Sequence, residues 1–505
     1  DSFNWNTTLN EAMDKTGGNA SFVVSAGDQI QTTKKKSPGK SEMTSEIEYT
    51  GYLSPDVLKS LPVATTVGNH DADNANYTYH FNTPNSSDLG SNGVVGGDYY
   101  FTYGNTLFMM LNTQDTNAAE HKQFMEQAIA ANPNCTWRVV TLHQDIYGSA
   151  EHSNEPEITN LRYTLVPYFE ANDVDVVLTG HDHAYSRTHI LEGGHKTVEY
   201  TDDEFDAELD KDMDAGENPA TRYEAPANIS TDSKEPADVA YLNYLNAVMD
   251  KDAIEDTEKG ETVVNPDGIL YMTANSSSGS KYYDLVPRMQ SYIANRWQED
   301  VPTYSVIDVT DNTFTINTYR TDNDQKIDET FTIKKGVTED IKSASVGKVK
   351  NQIYTGKQIQ PAIKVTLNGK TLKAGKDYTV TYTDNKNTGL AKATINGIGK
   401  YTGTQTVTFK IVPKKAVLKT VKAGKSGTAT VTIGKAGGKV SGYAIQVSTD
   451  SSFKKVTTYR TAKTTYTLKN LSKGKTYYVR VKAFTKVSEK NVYGAASKTI
   501  KVKAK

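Results

Sequence analysis

Residues 174–183 read Val174-Asp175-Val176-Val177-Leu178-Thr179-Gly180-His181-Asp182-His183, and this stretch decides the fold. A β-branched apolar run of strand length stops at a glycine, and the next residues are two imidazoles in His-x-His spacing. Three other runs also end in residues that could bind a metal: SFVVSAGD (21–28) and PVATTVGNHD (62–71) after a glycine, and WRVVTLH (137–143) in His143 without one. Ligands of α/β sheets gather just beyond the carboxyl ends of strands, so four such endings can meet at one crevice although they are far apart in the chain.

Working outward, residues 118–131 carry Phe124, Met125, Ala128 and Ile129 at helical spacing, and a second helical pattern covers 158–172. Each precedes one of these strands, the alternation of an α/β layered domain. The stretches 99–113 (YYFTYGNTLFMMLNT) and 303–321 (TYSVIDVTDNTFTINTYRT) read as hairpins, so parallel strands mix with antiparallel ones and the class is α/β (α+β). Residues 197–267, with TDDEFDAELDKDMDAGE, read as an acidic, irregular surface insertion. A calcium loop in DKDMDAGE is disfavoured because its Gly and Glu miss the required positions.

After Gly336 helical periodicity ends. Residues 336–411 form a small β-module with Asn-Gly and Lys-Ala-Gly turns, and residues 412–505 a second all-β module. Charge divides at the same place: residues 336–505 hold 34 Lys and Arg against 6 acids, residues 1–335 hold 23 against 54, and the net charge of −3 conceals this. The acidic first part does not suit a nucleic-acid groove, whereas the lysine-studded second part suits a polyanion partner as well as simple solvation. No apolar run approaches the roughly 20 residues that cross a bilayer. The single Cys135 excludes an internal disulfide.

Five of the nine histidines, His70, His143, His152, His181 and His183, fall in or near the four strand endings. Taken singly, Asp28 suits a turn, Asn69-His70-Asp71 an Asx turn, and His143 a strand end. Together they suit a pair of metal ions. Two cations about 3.5–4 Å apart need a bridging carboxylate, the role for Asp28. Asn69 offers an amide oxygen, and His143, His181 and His183 offer nitrogens suited to Fe, Zn or Mn. Such a pair activates a hydroxide and clamps phosphoryl oxygens. His70 is placed to protonate a leaving oxygen, with Asp71 orienting its ring.

The ordered set GDQ, GNHD, a strand-end His and GHDHAYSRT resembles the calcineurin-like metallophosphoesterase superfamily, and most of all its purple-acid-phosphatase-like branch. The resemblance covers about residues 1–335. It implies a β-sandwich flanked by helices, a dinuclear centre and phosphoester hydrolysis. By motif, Asp28 bridges, Asn69, His143 and His181 bind one metal, His183 binds the other, and His152 matches a substrate-side histidine. The family's first Asp motif is expected upstream of Asp1, and Gln31 stands where the purple enzymes carry a metal-binding tyrosine, so no purple colour is expected. The 412–505 module resembles a fibronectin type III sandwich, and 336–411 resembles β-repeats of Gram-positive surface enzymes. The resulting expectation is a secreted or cell-surface phosphomonoesterase acting on a small phosphoester. The alternatives are a phosphodiesterase or nucleotidase on the same centre, or a catalytically impaired surface-binding protein.

Overall fold

The computed structural model describes residues 4–214, 223–224, 226–255 and 262–505. It divides into two compact units, Asp1–Lys335 and Gly336–Lys505.

In the first unit, helix α1 (Trp5–Lys15) leads to strand β1 (Val23–Ser25), and α2 (Ser41–Tyr52) leads to β2 (Val63–Thr65), which pairs with β1 in parallel. After the short α3 (Asn76–His80) comes the hairpin β3 (Tyr99–Tyr103) and β4 (Thr106–Met110). Helix α4 (Ala118–Ala131) precedes β5 (Trp137–Thr141), and α5 (Pro156–Ala171), with Pro156 preset for its first turn, precedes β6 (Val176–Thr179). Strand β7 (Tyr185–Thr188) follows, then α6 (Asp202–Met213), α7 (Pro236–Ala247) and β8 (Thr262–Val264). Strands β9 (Leu270–Thr273), β10 (Ile293–Trp297), β11 (Thr303–Val309), β12 (Thr313–Arg320) and β13 (Phe331–Lys334) complete the unit.

Seven strands form one sheet in the order β10-β7-β9-β6-β5-β4-β3, with β4, β5, β6 and β9 parallel. A second sheet has the order β11-β12-β13-β8. The strand period of two explains why the central strands are apolar throughout. Leu107, Met109, Val140 and Val177 point to the layer holding Phe124, Met125, Leu165 and Phe169 of α4 and α5. Their neighbours Phe108, Met110, Val139, Val176 and Leu178 point the other way, onto Phe314, Ile316, Phe331 and Ile333 of the second sheet. The expected sandwich flanked by helices is therefore present, and both hairpins fall where the sequence puts them.

The acidic insertion departs from expectation: its described part is helical rather than irregular. Thr201 caps α6 and exchanges hydrogen bonds with Glu204, and Asp202, Asp203 and Glu204 sit in the first turn, where acids favour a helix. The acidity masks an amphipathic pattern. Phe205, Leu209, Ile229, Tyr241, Tyr244 and Leu245 close a small core of their own. Residues from Ala215 to Arg222, the last three of the excluded calcium loop among them, lie outside the described residues.

In the second unit, the module beginning at Gly336 packs a sheet containing Tyr378–Thr383, Gly389–Gly397 and Thr404–Val412 around Val365, Ala393, Phe409 and Ile411. Its last strand runs one residue past the expected boundary at 411. The following module is a sandwich of a three-stranded sheet (417–423, 429–434, 465–468) and a sheet built on Gly442–Ser448 and Thr476–Val487. Tyr354 lies against Gly437 and Gly438, so the two modules touch.

One buried ion pair ties the strand after the His-x-His turn to the loop between β12 and β13 of the second sheet of the first unit. Arg187 Nε and Nη2 donate to Asp328 at 2.6 and 3.0 Å, and the Tyr185 hydroxyl donates to the same carboxylate at 2.7 Å. Burial alone would raise the Asp328 pKa, but Arg187, Tyr185 and Asn295 outweigh it and hold it below the usual carboxylate range. A depressed folded pKa contributes stability above the unfolded carboxylate pKa and loses it as pH falls through the folded value. Asp328→Ala is expected to cost about 3 kcal/mol, the order for a buried pair that loses one partner, and to remove this acid-side dependence; denaturant unfolding between pH 3 and 7 measures both.

Candidate metal centre

The four strand endings meet at one end of the sheet system. Asp28 follows β1, Asn69 follows β2, His143 follows β5 and His181 follows β6. His143 donates from Nδ1 to the Ala26 carbonyl at 2.8 Å, which leaves Nε2 with its lone pair facing the cluster. Around that nitrogen lie Asn69 Oδ1 at 3.0 Å, His181 Nδ1 at 3.1 Å and Asp28 Oδ2 at 3.3 Å. Asp28, His143 and His181 each offer a ligand atom within 4.8 Å of the others. Bonds of about 2.0–2.2 Å from one cation to tetrahedrally arranged N and O donors put those donors roughly 3.3 Å apart, so this set fits a first-row metal ion.

The backbone is bent to make this possible. Asp28, His181 and His183 all sit at positive φ, 53°, 69° and 46°, conformations that cost energy and concentrate at functional sites. Gly27 and Gly68 are required by close approach: a Cβ on Gly27 would enter the His143 ring, and one on Gly68 would overlap the backbone and carboxylate of Asp28.

Electrostatics favour the ligand forms of Asp28, His181 and His183, whereas at His143 burial opposes the charge but Asp28 outweighs it and raises the pKa, so a cation there displaces a proton. Burial works against the Asp28 charge, but His143 and His70 prevail and hold its pKa far down. Burial, then the His143 and His152 charges, depress His181 strongly, and burial depresses His183. Neutral imidazoles and an ionised carboxylate are what a metal needs.

His183 stands outside the tight cluster. Its Nδ1 donates to the Lys281 carbonyl at 2.9 Å, leaving Nε2 as its ligand atom. His70 is beside Asp28: its backbone N–H donates to Asp28 Oδ1 at 2.9 Å, and its Nε2 is 3.8 Å from Oδ2. Its ring is oriented by the Gln31 carbonyl, 2.9 Å from Nδ1, and not by Asp71. Asp71 points inward instead, accepting from Gly68 N–H at 3.0 Å and from the Tyr49 hydroxyl at 2.8 Å. Burial and then the Asp28 charge push it up to about 7. Asp71 therefore braces the turn that carries Asn69 and His70.

His152 lies against the His181 ring, 5.0 Å between centroids, with Nδ1 2.5 Å from Glu155. Burial opposes its charge, but Glu155, Asp182 and Glu151 push it up to about 9.

Sequence reasoning missed Asp182. Its carboxylate accepts from Ala150 N–H at 2.8 Å and His152 N–H at 3.0 Å, so the residue between His181 and His183 anchors the loop carrying His152. The signal was in the spacing, since the middle residue of His-x-His at a strand exit must face away from its neighbours. Tyr283 was missed as well; its ring packs against His152 at 4.9 Å and His183 at 5.1 Å.

Comparison with known proteins agrees with this geometry. Residues 4–185 match the calcineurin-like phosphoesterase family model, and residues 418–499 match the fibronectin type III domain. The first unit thus contains a metallophosphoesterase domain and the second a fibronectin type III domain. Two uncharacterized proteins of Mycobacterium tuberculosis, strains CDC 1551 and H37Rv, are each 26% identical over 156 residues, 26% of this chain; the match spans 29% of their length. Among solved structures, a purple acid phosphatase from yellow lupin (Lupinus luteus) seeds is 13% identical with a TM-score of 0.40, over 66% of this chain and 49% of its own. A fibronectin-III-like protein from Clostridium thermocellum is 25% identical with a TM-score of 0.15, over 18% of this chain and 91% of its own.

Gly68→Ala is expected to displace Asp28 and weaken metal binding by roughly 10–100-fold, the range for losing a support of a ligand, while the far-ultraviolet circular dichroism stays unchanged; calorimetric titration with Zn²⁺ or Mn²⁺ measures the shift.

Proposed function

We propose that the first unit is a metal-dependent phosphomonoesterase acting outside the cytoplasm through a dinuclear centre. The observation that carries this reading is the convergence of Asp28, Asn69, His143 and His181 from four strand ends, with His70 beside it and His152 against His181. Asp28, Asn69, His143 and His181 would hold one cation, and Asp28 with His183 would contribute to the second. Fe, Zn and Mn suit this donor set. When bound, such a pair supplies Lewis acidity toward phosphoryl oxygens and a nucleophilic oxygen near neutral pH.

The protein's own groups do the rest. His70 Nδ1 is committed to the Gln31 carbonyl, so a proton carried at Nε2 is the one it can deliver to a departing alkoxide. His152, oriented by Glu155 and with its backbone fixed by Asp182, offers one further hydrogen bond from Nε2 beside His181. Gln31 uses its backbone to hold His70 and to donate to Glu48 at 3.1 Å, and it brings no phenolate to the metals.

The location rests on the modules: a fibronectin type III domain and a lysine-studded partner, together 34 basic residues against 6 acids, suit attachment to a wall polyanion.

The test is hydrolysis of p-nitrophenyl phosphate by the full chain after metal loading, with metal content measured in parallel. Turnover that chelation abolishes and metal restores is expected, and His183→Ala should lower kcat/KM by more than about 100-fold, beyond an outer-shell effect. Metal-loaded protein that turns over no phosphoester would overturn the reading.

A further inference from the structure

The wall of the site beyond His183 is made by Lys281 and Tyr283. The Lys281 carbonyl fixes the His183 ring, while the Lys281 ammonium contacts the Tyr283 hydroxyl and lies over the Tyr283 ring, 4.0 Å from its centroid. That same ring packs at 85° against His152 and at 59° against His183. Tyr283 is itself held by a packed base of Ala150, Ala184 and Leu285, with Ala150 and Leu285 bridged as in a sheet. A rigid aromatic strut thus carries a long, exposed cation beside the substrate-side histidine. The acids nearby are Glu151 and Glu155 of the His152 loop, Asp182 of the His-x-His turn, and Asp284 next to Tyr283.

Resting on the phosphoesterase reading above, we infer that Lys281, propped on Tyr283, is an anion-binding arm of the substrate site that selects the dianionic phosphoryl group of a monoester over the monoanion of a diester. A phosphomonoester near neutral pH carries one more negative charge than a diester, and a charge-assisted hydrogen bond from an ammonium is strongest toward the more concentrated charge. The second ester arm of a diester, moreover, takes the place of one oxygen that the arm would grasp. The division of labour in Lys281 makes the idea separable from metal binding. Its backbone holds the His183 ring and its side chain rests on Tyr283, so a side-chain substitution leaves the metal ligand in place.

The experiment titrates the metal-loaded full chain, by calorimetry, with phenylphosphonate as the dianion and with its monomethyl ester as the monoanion, for the natural sequence, Lys281→Gln and Lys281→Arg. Lys281→Gln is expected to weaken the dianion roughly ten-fold, the size of one hydrogen bond to a charged group, with the monomethyl ester little changed. Metal stoichiometry should be unchanged, and Lys281→Arg should restore most of the preference. Equal affinities of the Lys281→Gln and natural proteins for the dianion, or a parallel loss for both ligands, would overturn the inference and leave Lys281 as a counter-ion for the neighbouring acids. Because the readout is binding, it stands apart from the turnover assay: a chain that binds the dianion through Lys281 but hydrolyses nothing refutes the catalytic reading alone.

Discussion

The first unit depends on the seating of one carboxylate. Asp28 lies at φ 53° between two glycine-bearing turns, close enough to Gly68 that no side chain fits there, with His143 Nε2 3.3 Å away and the His70 N–H at 2.9 Å. A buried carboxylate is costly unless it is paired or hydrogen-bonded, and here both conditions are met by groups from two other loops. Those loops can meet Asp28 because β1 and β2 run parallel and end together, as do β5 and β6. Gly180 N–H donates to the His143 carbonyl at 2.9 Å, locking the β5 and β6 endings to each other. The sheet, the glycines and the left-handed residues are one device for bringing donors of the other three loops to 3.0–3.3 Å from His143 Nε2.

Much of this device is legible in the order of the residues. A strand that stops at Gly followed by Asp, Asn or His is a local signal; three occurrences of it, with a fourth strand that ends directly in His143, are enough to name Asp28, Asn69, His143 and His181 as a set. The paired hairpins and the helices over 118–131 and 156–171 are legible because their periodicity is strong and local. The orientation of each ring is not. Which carbonyl receives the Nδ1 proton of His70 is decided by where the Gln31 backbone passes, a tertiary fact, and the adjacent Asp71 is the natural but mistaken choice. The distance of His183 from the tight cluster is hidden for the same reason: spacing places two imidazoles around one turn but does not say how far apart they fall.

The insertion shows a different limit. Counting acids across 197–267 suggests a chain too charged to bury anything, yet the acids crowd into the first turn and outer face of α6 while one aromatic stripe closes the core. Composition averages over a pattern whose energy lies in its arrangement. The same insertion reaches the site indirectly: Asp202 Oδ1 accepts from Glu157 N–H at 2.9 Å at the start of α5, and Asp206 lies near enough to act on the His152 charge.

The mooring of His152 is stronger still on the buried side. Arg162 of α5, with no exposed surface, donates to the carbonyls of Ile146, Ser153 and Val248 and to Asn154 Oδ1, and lies 3.8 Å from Asp250. Tyr147, Tyr163 and Tyr292 pack around its guanidinium. Ile146, Ser153 and Asn154 flank His152 in the loop after β5, whereas Val248 and Asp250 close the insertion. A single planar cation with five donors can satisfy both segments at once, which a lysine could not do. His152 is thus set between two anchors, Asp182 from the His-x-His turn and Arg162 from the helix beneath. The insertion contributes through that second anchor, so it is part of the architecture of the site and not an ornament on its surface.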